Sequence, residues 1–382
     1  MPDDKATGSN HDDRILANSK ILTVTMPKWG LSMTTGKIVE IHVAEGDTLA
    51  KGDDVLDIDT DKIAGTLESS VAGPIRRLVV GVGDELPVGA VLAVVAPAEV
   101  PDAEIEAVVE AARAAAESGE LDVPDEPQPQ LVEIHGRTIS YLTLAPEEPS
   151  GAPVVLVHGF GGDKNSWLFV QQPLSEEHAV HAVDLPGHGA SGKDVGDGSL
   201  AGLADVLVGF LDALGISRVH LVGHSLGGAV VAAAARSVPE KVVSVTLLAP
   251  VGYGPDADAE YLRGFAAAVS RRELKPLVGR LFADPSLVTR QLVDDLLRYK
   301  RLDGVDKALS ALLGTLLDGD RQAIDTPALL AGVDVPVTVM WGSADGILPP
   351  PEGTGERVAA GHMLHMEAAN DVVRVLRERV AG

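Results

Sequence analysis

Ser225 stands in the run VHLVGHSLGGAVVAAAA, with Gly223 and Gly227 two residues to either side. Alone, Gly-x-Ser-x-Gly is a frequent accident in a chain with 41 glycines. Its setting is more specific. An apolar strand pattern runs into it and an alanine-rich helical pattern runs out, which is the setting of a sharp turn that lifts a hydroxyl above a sheet and aims a helix N-terminus at it. Side chains two residues from the serine would not fit such a turn, hence the glycines. A serine hydroxyl is a weak nucleophile at neutral pH and needs a base, itself oriented by a third group. Downstream, Asp345 follows the strand-like VPVTVMWG, and VAAGHMLHMEAAN offers His362 and His365. A different chemistry is suggested by Lys62, a lone lysine among Asp57, Asp59 and Asp61 in VLDIDTDKIAGTLESS. That strand–turn–strand pattern either presents an amine at a hairpin tip or is simply a polar turn.

Three segments have to carry these residues. Residues 21–97 read as short strands with glycine turns, and they contain an internal repeat: GDTLAKGDDVL (46–56) returns as GDELPVGAVL (83–92) with one residue deleted. Two similar half-sheets related by a pseudo-twofold predict a flattened all-β sandwich, with Lys62 between the halves. Residues 98–130 hold ten acids and one base and end in VPDEPQPQ, which predicts a short helix and then a proline-stiffened, solvated linker. From 131 to 382 strands alternate with helices, predicting a parallel sheet covered on both faces. PVVLVHG (153–159) and RVHLVG (218–223) are buried strands in this reading, and the helical stretch 252–325 is a cap.

Composition excludes other roles. With 382 residues the chain has room for two or three domains. A formal net charge of −25 argues against binding nucleic acid, which calls for a basic footprint. No apolar run approaches a membrane span, and residues 1–20 are polar, unlike a secretory signal, and predict a disordered tail. No cysteine is present, so a disulfide framework or thiolate metal site is impossible, and sulfur chemistry would have to come from an attached group or a substrate. No cluster of His, Asp and Glu has metal-ligand spacing, so no metal is expected. A bacterial cytoplasm is the simplest setting.

The repeat about Lys62, with MPKWGLSMTTGKIVE at its start, resembles the lipoyl (biotinyl-like) carrier domain of 2-oxo-acid dehydrogenase acyltransferases. The flanks TDK fit lipoyl attachment, whereas a biotinyl domain would carry Met on both sides of the lysine. Residues 131–382 resemble the α/β-hydrolase family. That resemblance implies Ser225 as nucleophile, Asp345 as acid and His362 as base, with His365 the runner-up base. It also implies an oxyanion hole formed by the backbone N–H groups of Phe160, in HGFGGD, and of Leu226. His158, Asp184 and His188 read as scaffold. The fusion of the two resembles the dihydrolipoamide acetyltransferase component of some bacterial acetoin dehydrogenase systems. It implies acetyl transfer from a dihydrolipoyl group on Lys62 to coenzyme A. Its partners would be the thiamine-diphosphate-dependent acetoin dehydrogenase subunits and dihydrolipoamide dehydrogenase. Two other readings stand beside it: a lipoyl-tethered esterase or thioesterase with water as acceptor, and a non-catalytic module that docks the carrier. The HxxxDG pattern of the usual acyltransferase domain is absent.

Overall fold

The repeat detected in the sequence folds twice into the same turn. Gly46 and Gly83, which open the two copies, have φ of +95° and +96°, and Gly52 and Gly89 have +87° and +84°, conformations that glycine adopts without a Cβ penalty. Asp47 accepts from the Ala44 N–H and Asp84 from the Gly81 N–H, each at 2.8 Å. The computed structural model describes residues 20–27, 33–60, 64–118, 121 and 127–380, in two units, Met1–Glu126 and Pro127–Gly382.

In the first unit the strands are β1 (Leu22–Thr25), β2 (Thr35–Ile41), β3 (Thr48–Leu49), β4 (Asp54–Asp59), β5 (Ala64–Glu68), β6 (Gly73–Leu78), β7 (Glu85–Pro87) and β8 (Val91–Val95). Among the described residues they form two four-stranded sheets, ordered β1-β8-β6-β3 and β5-β4-β2-β7. The short strands of the two repeats, β3 and β7, thus fall in different sheets, as a pseudo-twofold requires. Met26, Met33, Ile38, Leu56, Ile58, Ile75 and Leu92 are buried between them. The β4–β5 pairing closes at Asp59–Ala64, and β5 is an edge strand. Lys62 belongs to the connection between them and lies outside the described residues, as do residues 1–19 of the expected tail.

The segment expected to be a solvated linker begins otherwise. Helix α1 (Asp102–Ser118) buries Ile105 and Val109 against Val94, Ala96 and Val100, because these two apolar residues fall one turn apart on an otherwise acidic helix. Arg76 and Arg77 of β6 pair with Asp102 at 2.5 Å and with Glu106 at 2.7 Å. The acidic face therefore includes ion pairs with the sandwich as well as solvated carboxylates.

The second unit is built on an eight-stranded sheet. Its hairpin β9 (Gln130–Ile134) and β10 (Arg137–Leu144) is followed by β11 (Val154–Val157), α2 (Leu168–Leu174), β12 (Val180–Val183) and α3 (Leu200–Ala213). Next come β13 (Val219–His224), α4 (Leu226–Ser237) and β14 (Val242–Leu248). The cap contributes α5 (Ala259–Ala267), α6 (Arg271–Gly279), α7 (Arg290–Lys300) and α8 (Val305–Leu316), then a two-stranded hairpin, β15 (Leu317–Asp318) with β16 (Arg321–Gln322). The chain returns through α9 (Thr326–Leu330), β17 (Val337–Gly342), β18 (Glu356–Val358), α10 (Leu364–Glu367) and α11 (Ala369–Val380). Strand order is β18-β17-β14-β13-β11-β12-β10-β9, parallel except that β10 runs antiparallel to both β12 and β9. β11 and β13 are fully buried, which is why β11 reads as an unbroken apolar run and β13 as one broken only by His220 and His224. The C-terminal ends of β11, β13, β17 and β18 lead into the candidate residues. Among the described residues no helix is long and apolar enough to cross a membrane.

Candidate active site

At the end of β13 the chain turns through Ser225 with φ 53° and ψ −115°, a region that costs a non-glycine residue roughly 1–3 kcal/mol. The surroundings hold it there. Its N–H donates to Leu248 O at 2.9 Å, and its carbonyl accepts from Gly228 and Val251 at 3.0 Å each. A Cβ on Gly223 would lie 2.3 Å from Gly227 O, and one on Gly227 would lie 2.2 Å from Val157 O. Both glycines are thus required by backbone-to-backbone contact. Helix α4 starts immediately after, and its alanines and glycines let it sit buried against the sheet.

Asp345 lies in the loop after β17 and His362 in the loop after β18. Asp345 Oδ1 accepts from the Ile347 and Leu348 N–H groups at 2.8 and 3.0 Å, and Oδ2 is 2.8 Å from His362 Nδ1. That bond makes Nδ1 the protonated nitrogen, so the lone pair is on Nε2, available to take a proton. Asp345 is 6% and His362 3% exposed. Among the described residues the Ser225 hydroxyl has no hydrogen-bond partner. Its neighbour His224 connects the two loops instead: His224 Nε2 donates to His362 O at 3.0 Å, with the rings 4.7 Å apart. Burial first, then His365 and His362 alongside, hold the His224 imidazole well below its ordinary pKa, so it remains neutral.

His365 has no carboxylate beside it. Its ring is fully buried between Trp167 (4.7 Å) and His224 (4.4 Å), and neither ring nitrogen has a hydrogen-bond partner among the described residues. It lacks the orienting acid that His362 has.

The loop after β11 packs against the nucleophile, since a Cβ on Gly159 would come within 2.9 Å of Ser225 Cβ. Its shape is set by two buried histidines. His158 donates from Nδ1 to Gly159 O at 2.8 Å and accepts the Leu185 N–H on Nε2 at 3.0 Å. His188 donates from Nδ1 to Pro186 O and accepts the Gly161 N–H on Nε2, at 3.0 and 3.1 Å. Burial pushes His188 down to about 3 and lowers His158, so both are neutral and both can accept. Beneath them Asp184 accepts from Lys164 Nζ at 2.8 Å, Lys164 N at 2.7 Å and Ala190 N at 2.9 Å. Burial opposes its charge, but Lys164 keeps its carboxyl below the ordinary value. Among the described residues neither the Phe160 N–H nor the Leu226 N–H has an acceptor. The Phe160 ring meets Phe265 of α5 edge-on at 6.1 Å, bringing the cap onto this loop.

The sequence reading missed His224 and Lys164. His224 is a polar residue closing an apolar run, and that contrast was the available signal, whereas Lys164 stands in the polar stretch DKNS, where nothing marks it. No group of three or more His, Asp or Glu among the described residues is arranged to hold a metal ion.

The chain matches the family model described as alpha/beta hydrolase fold over residues 152–367, and the one described as Biotin-requiring enzyme over 22–95. It is 46% identical to the dihydrolipoyllysine-residue acetyltransferase component of the acetoin cleaving system of Pseudomonas putida, across 93% of this chain and 97% of that one. The component of the same name in Cupriavidus necator is 45% identical across 95% and 98%. Among solved structures, the 2-hydroxy-6-oxo-6-phenylhexa-2,4-dienoate hydrolase of Rhodococcus sp. strain RHA1 superposes with a TM-score of 0.57 at 22% identity, over 67% of this chain and 100% of that one. A meta-cleavage product hydrolase superposes at 0.58, also at 22% identity, over 65% and 97%. At such identity the likeness is one of fold.

Proposed function

Because this chain belongs to the family of dihydrolipoyllysine-residue acetyltransferase components of acetoin cleaving systems, we propose that it passes an acetyl group from lipoyl-Lys62 to coenzyme A through Ser225. The observation that carries the reading is the 2.8 Å Asp345–His362 bond beside a strained serine turn, in a chain that also has a lipoyl-type sandwich. Lys62 fits attachment because it falls in the connection from β4 to the edge strand β5, beyond the last ladder pair at Asp59–Ala64. Lipoate there would supply the thiol that carries the acyl group.

The chain's own residues then act in sequence. His362 Nε2 takes the hydroxyl proton as Ser225 Oγ attacks the thioester carbonyl. Asp345 holds the imidazole and stabilises its positive form. Backbone N–H groups of Phe160 and Leu226 stabilise the tetrahedral oxygen, at about 3 kcal/mol of barrier each. As the C–S bond breaks, His362 returns the proton to the leaving sulfur, and the acyl group stays as an ester on Ser225. An incoming thiol repeats the cycle: its proton goes to His362, its sulfur to the carbonyl, and Ser225 recovers its hydrogen. The thiamine-diphosphate-dependent dehydrogenase subunits and dihydrolipoamide dehydrogenase are the partners this role requires. Water is the competing acceptor, since an Asp345–His362 pair can activate it equally well. The test is Ser225→Ala in the lipoylated chain. Acetyl transfer to coenzyme A should vanish while lipoylation of Lys62 persists, and near-wild-type transfer would rule Ser225 out as the transfer site.

A further inference from the structure

A side chain helps fasten the loop that carries His362 to the cap. Glu367, at the end of α10, splits its carboxylate between two segments. Oε2 accepts the Gly361 N–H at 2.7 Å, next to His362. Oε1 accepts the Ala283 N–H at 2.8 Å and the Asp284 N–H at 3.4 Å, in the strap between α6 and α7. The strap reaches the base loop directly as well, because Leu281 O accepts the His362 N–H at 2.8 Å and the Met363 N–H at 3.2 Å. There is no slack: a Cβ on Gly361 would lie 2.6 Å from Ala283 N and 2.7 Å from Leu281 O. On its other side His362 O is held by His224 at 3.0 Å. The backbone on both sides of the imidazole is thus fixed, one side by the nucleophile strand and the other by the cap.

We propose that Glu367 is a positioning residue for the general base, clipping strap 281–284 of the cap to the loop of His362. It touches no reacting atom. A carboxylate suits the task because it accepts on both oxygens at once, toward donors from two different segments. A glutamine of the same shape offers one accepting oxygen and turns an NH₂ toward the other N–H groups. With the clip cut, the loop retains its bonds to Leu281 and His224 but can drift with the strap, and a base displaced by about an ångström costs roughly a hundredfold in rate. The inference rests on the role proposed for His362.

The test compares wild type, Glu367→Gln and Glu367→Ala as full chains. A small chromogenic acetate ester is the substrate, and rates are normalised to sites titrated by a fluorophosphonate. Glu367→Ala should lower kcat about tenfold to a hundredfold with KM changed less than threefold, and Glu367→Gln should fall between. Amide hydrogen exchange at Gly361 and Ala283 should quicken in both variants while exchange in β13 and β14 does not. A side chain that only added stability would reduce the number of titrated sites and leave kcat per site alone. Wild-type kcat per site in Glu367→Ala, or unchanged exchange at both amides, would overturn the proposal. If wild-type Ser225 forms no acyl ester, the catalytic reading fails instead, and the exchange rates still decide whether the clip exists.

Discussion

Lowering the pH from 7 to 5 should destabilise the second unit severely, before most of its carboxylates titrate. Burial pushes both His188 and His365 down to about 3, against about 6.5 in an unfolded chain. Between those values the unfolded state binds protons that the folded state refuses. Their stabilising contribution is therefore complete above about pH 6.5 and is lost as pH falls toward 3, with a slope of about 1.4 kcal/mol per pH unit for each group. At pH 5 that is about 2 kcal/mol per histidine and about 4 kcal/mol for the pair. His158 and His224 are shifted in the same direction by burial and add to the loss. A folded domain has only about 5–15 kcal/mol to lose. The first structural casualty should be the loop of Phe160, since a protonated His188 turns an N–H toward the Gly161 N–H that it now accepts. Of the three tryptophans, Trp167 and Trp341 are buried in this unit, so Trp29→Phe leaves a clean fluorescence reporter. Urea midpoints at pH 7, 6 and 5 should fall steadily. His365→Phe should reduce the slope and raise stability by about 1–3 kcal/mol at pH 7, because both nitrogens of that ring are buried without partners among the described residues. An unchanged midpoint between pH 7 and 5, or a slope unaffected by His365→Phe, would refute the reasoning.

Gly227→Ala should abolish Ser225 labelling by a fluorophosphonate and lower the melting temperature, since its Cβ would sit 2.2 Å from Val157 O in a backbone that has no room to move. Arg272→Glu should slow acetyl transfer from the lipoylated sandwich several-fold at low salt and little at high salt. Residues 261–307 carry ten bases and six acids against six and eleven in 21–97, and exposed charges of this kind act through steering. Arg272 is the cleaner probe because Arg271 is engaged with Asp294 and its reversal would also break that pair. Intact mass of the chain coexpressed with a lipoate ligase should show one lipoyl group, and Lys62→Arg should remove it.

Much of this was legible because the deciding signals are local. The glycines of the two repeats announced a duplicated turn, and φ near +90° at all four is what those glycines are for. Gly223, Ser225 and Gly227 announced a sharp turn because the constraint there is backbone contact, which only glycine relieves. Asp345 and His362 were legible only as order along the chain, since their meeting depends on two loops at neighbouring strand ends. The docking of α1 went unread because an acidic helix looks solvated, and Ile105 and Val109 are a narrow stripe on it. Glu367 was invisible for a different reason. Its partners are main-chain N–H groups 84 and 6 residues away, and no residue type marks a backbone donor.

On the proposed reading the identity of the acceptor is decided above the triad, and the argument is one of concentration. Water outnumbers a millimolar thiol by roughly four to five powers of ten, so a thiol acceptor has to gain about 6 kcal/mol over water at the acyl-serine stage. The bond from Asp345 to His362 cannot supply this, because it activates either nucleophile in the same way. What can supply it is exclusion of water and binding of the thiol's carrier. Ser225, Asp345 and His362 are 7%, 6% and 3% exposed, so little bulk water reaches them. The elements next to them are the Phe160 loop, which packs against Ser225, the Phe265 ring of α5, which packs on Phe160, and the strap clipped by Glu367, whose Leu281 O accepts the His362 N–H. Loosening the strap would admit water and let the base drift together. Changes in the cap should therefore alter the ratio of transfer to hydrolysis, whereas changes in Ser225 or Asp345 should lower both and leave the ratio alone.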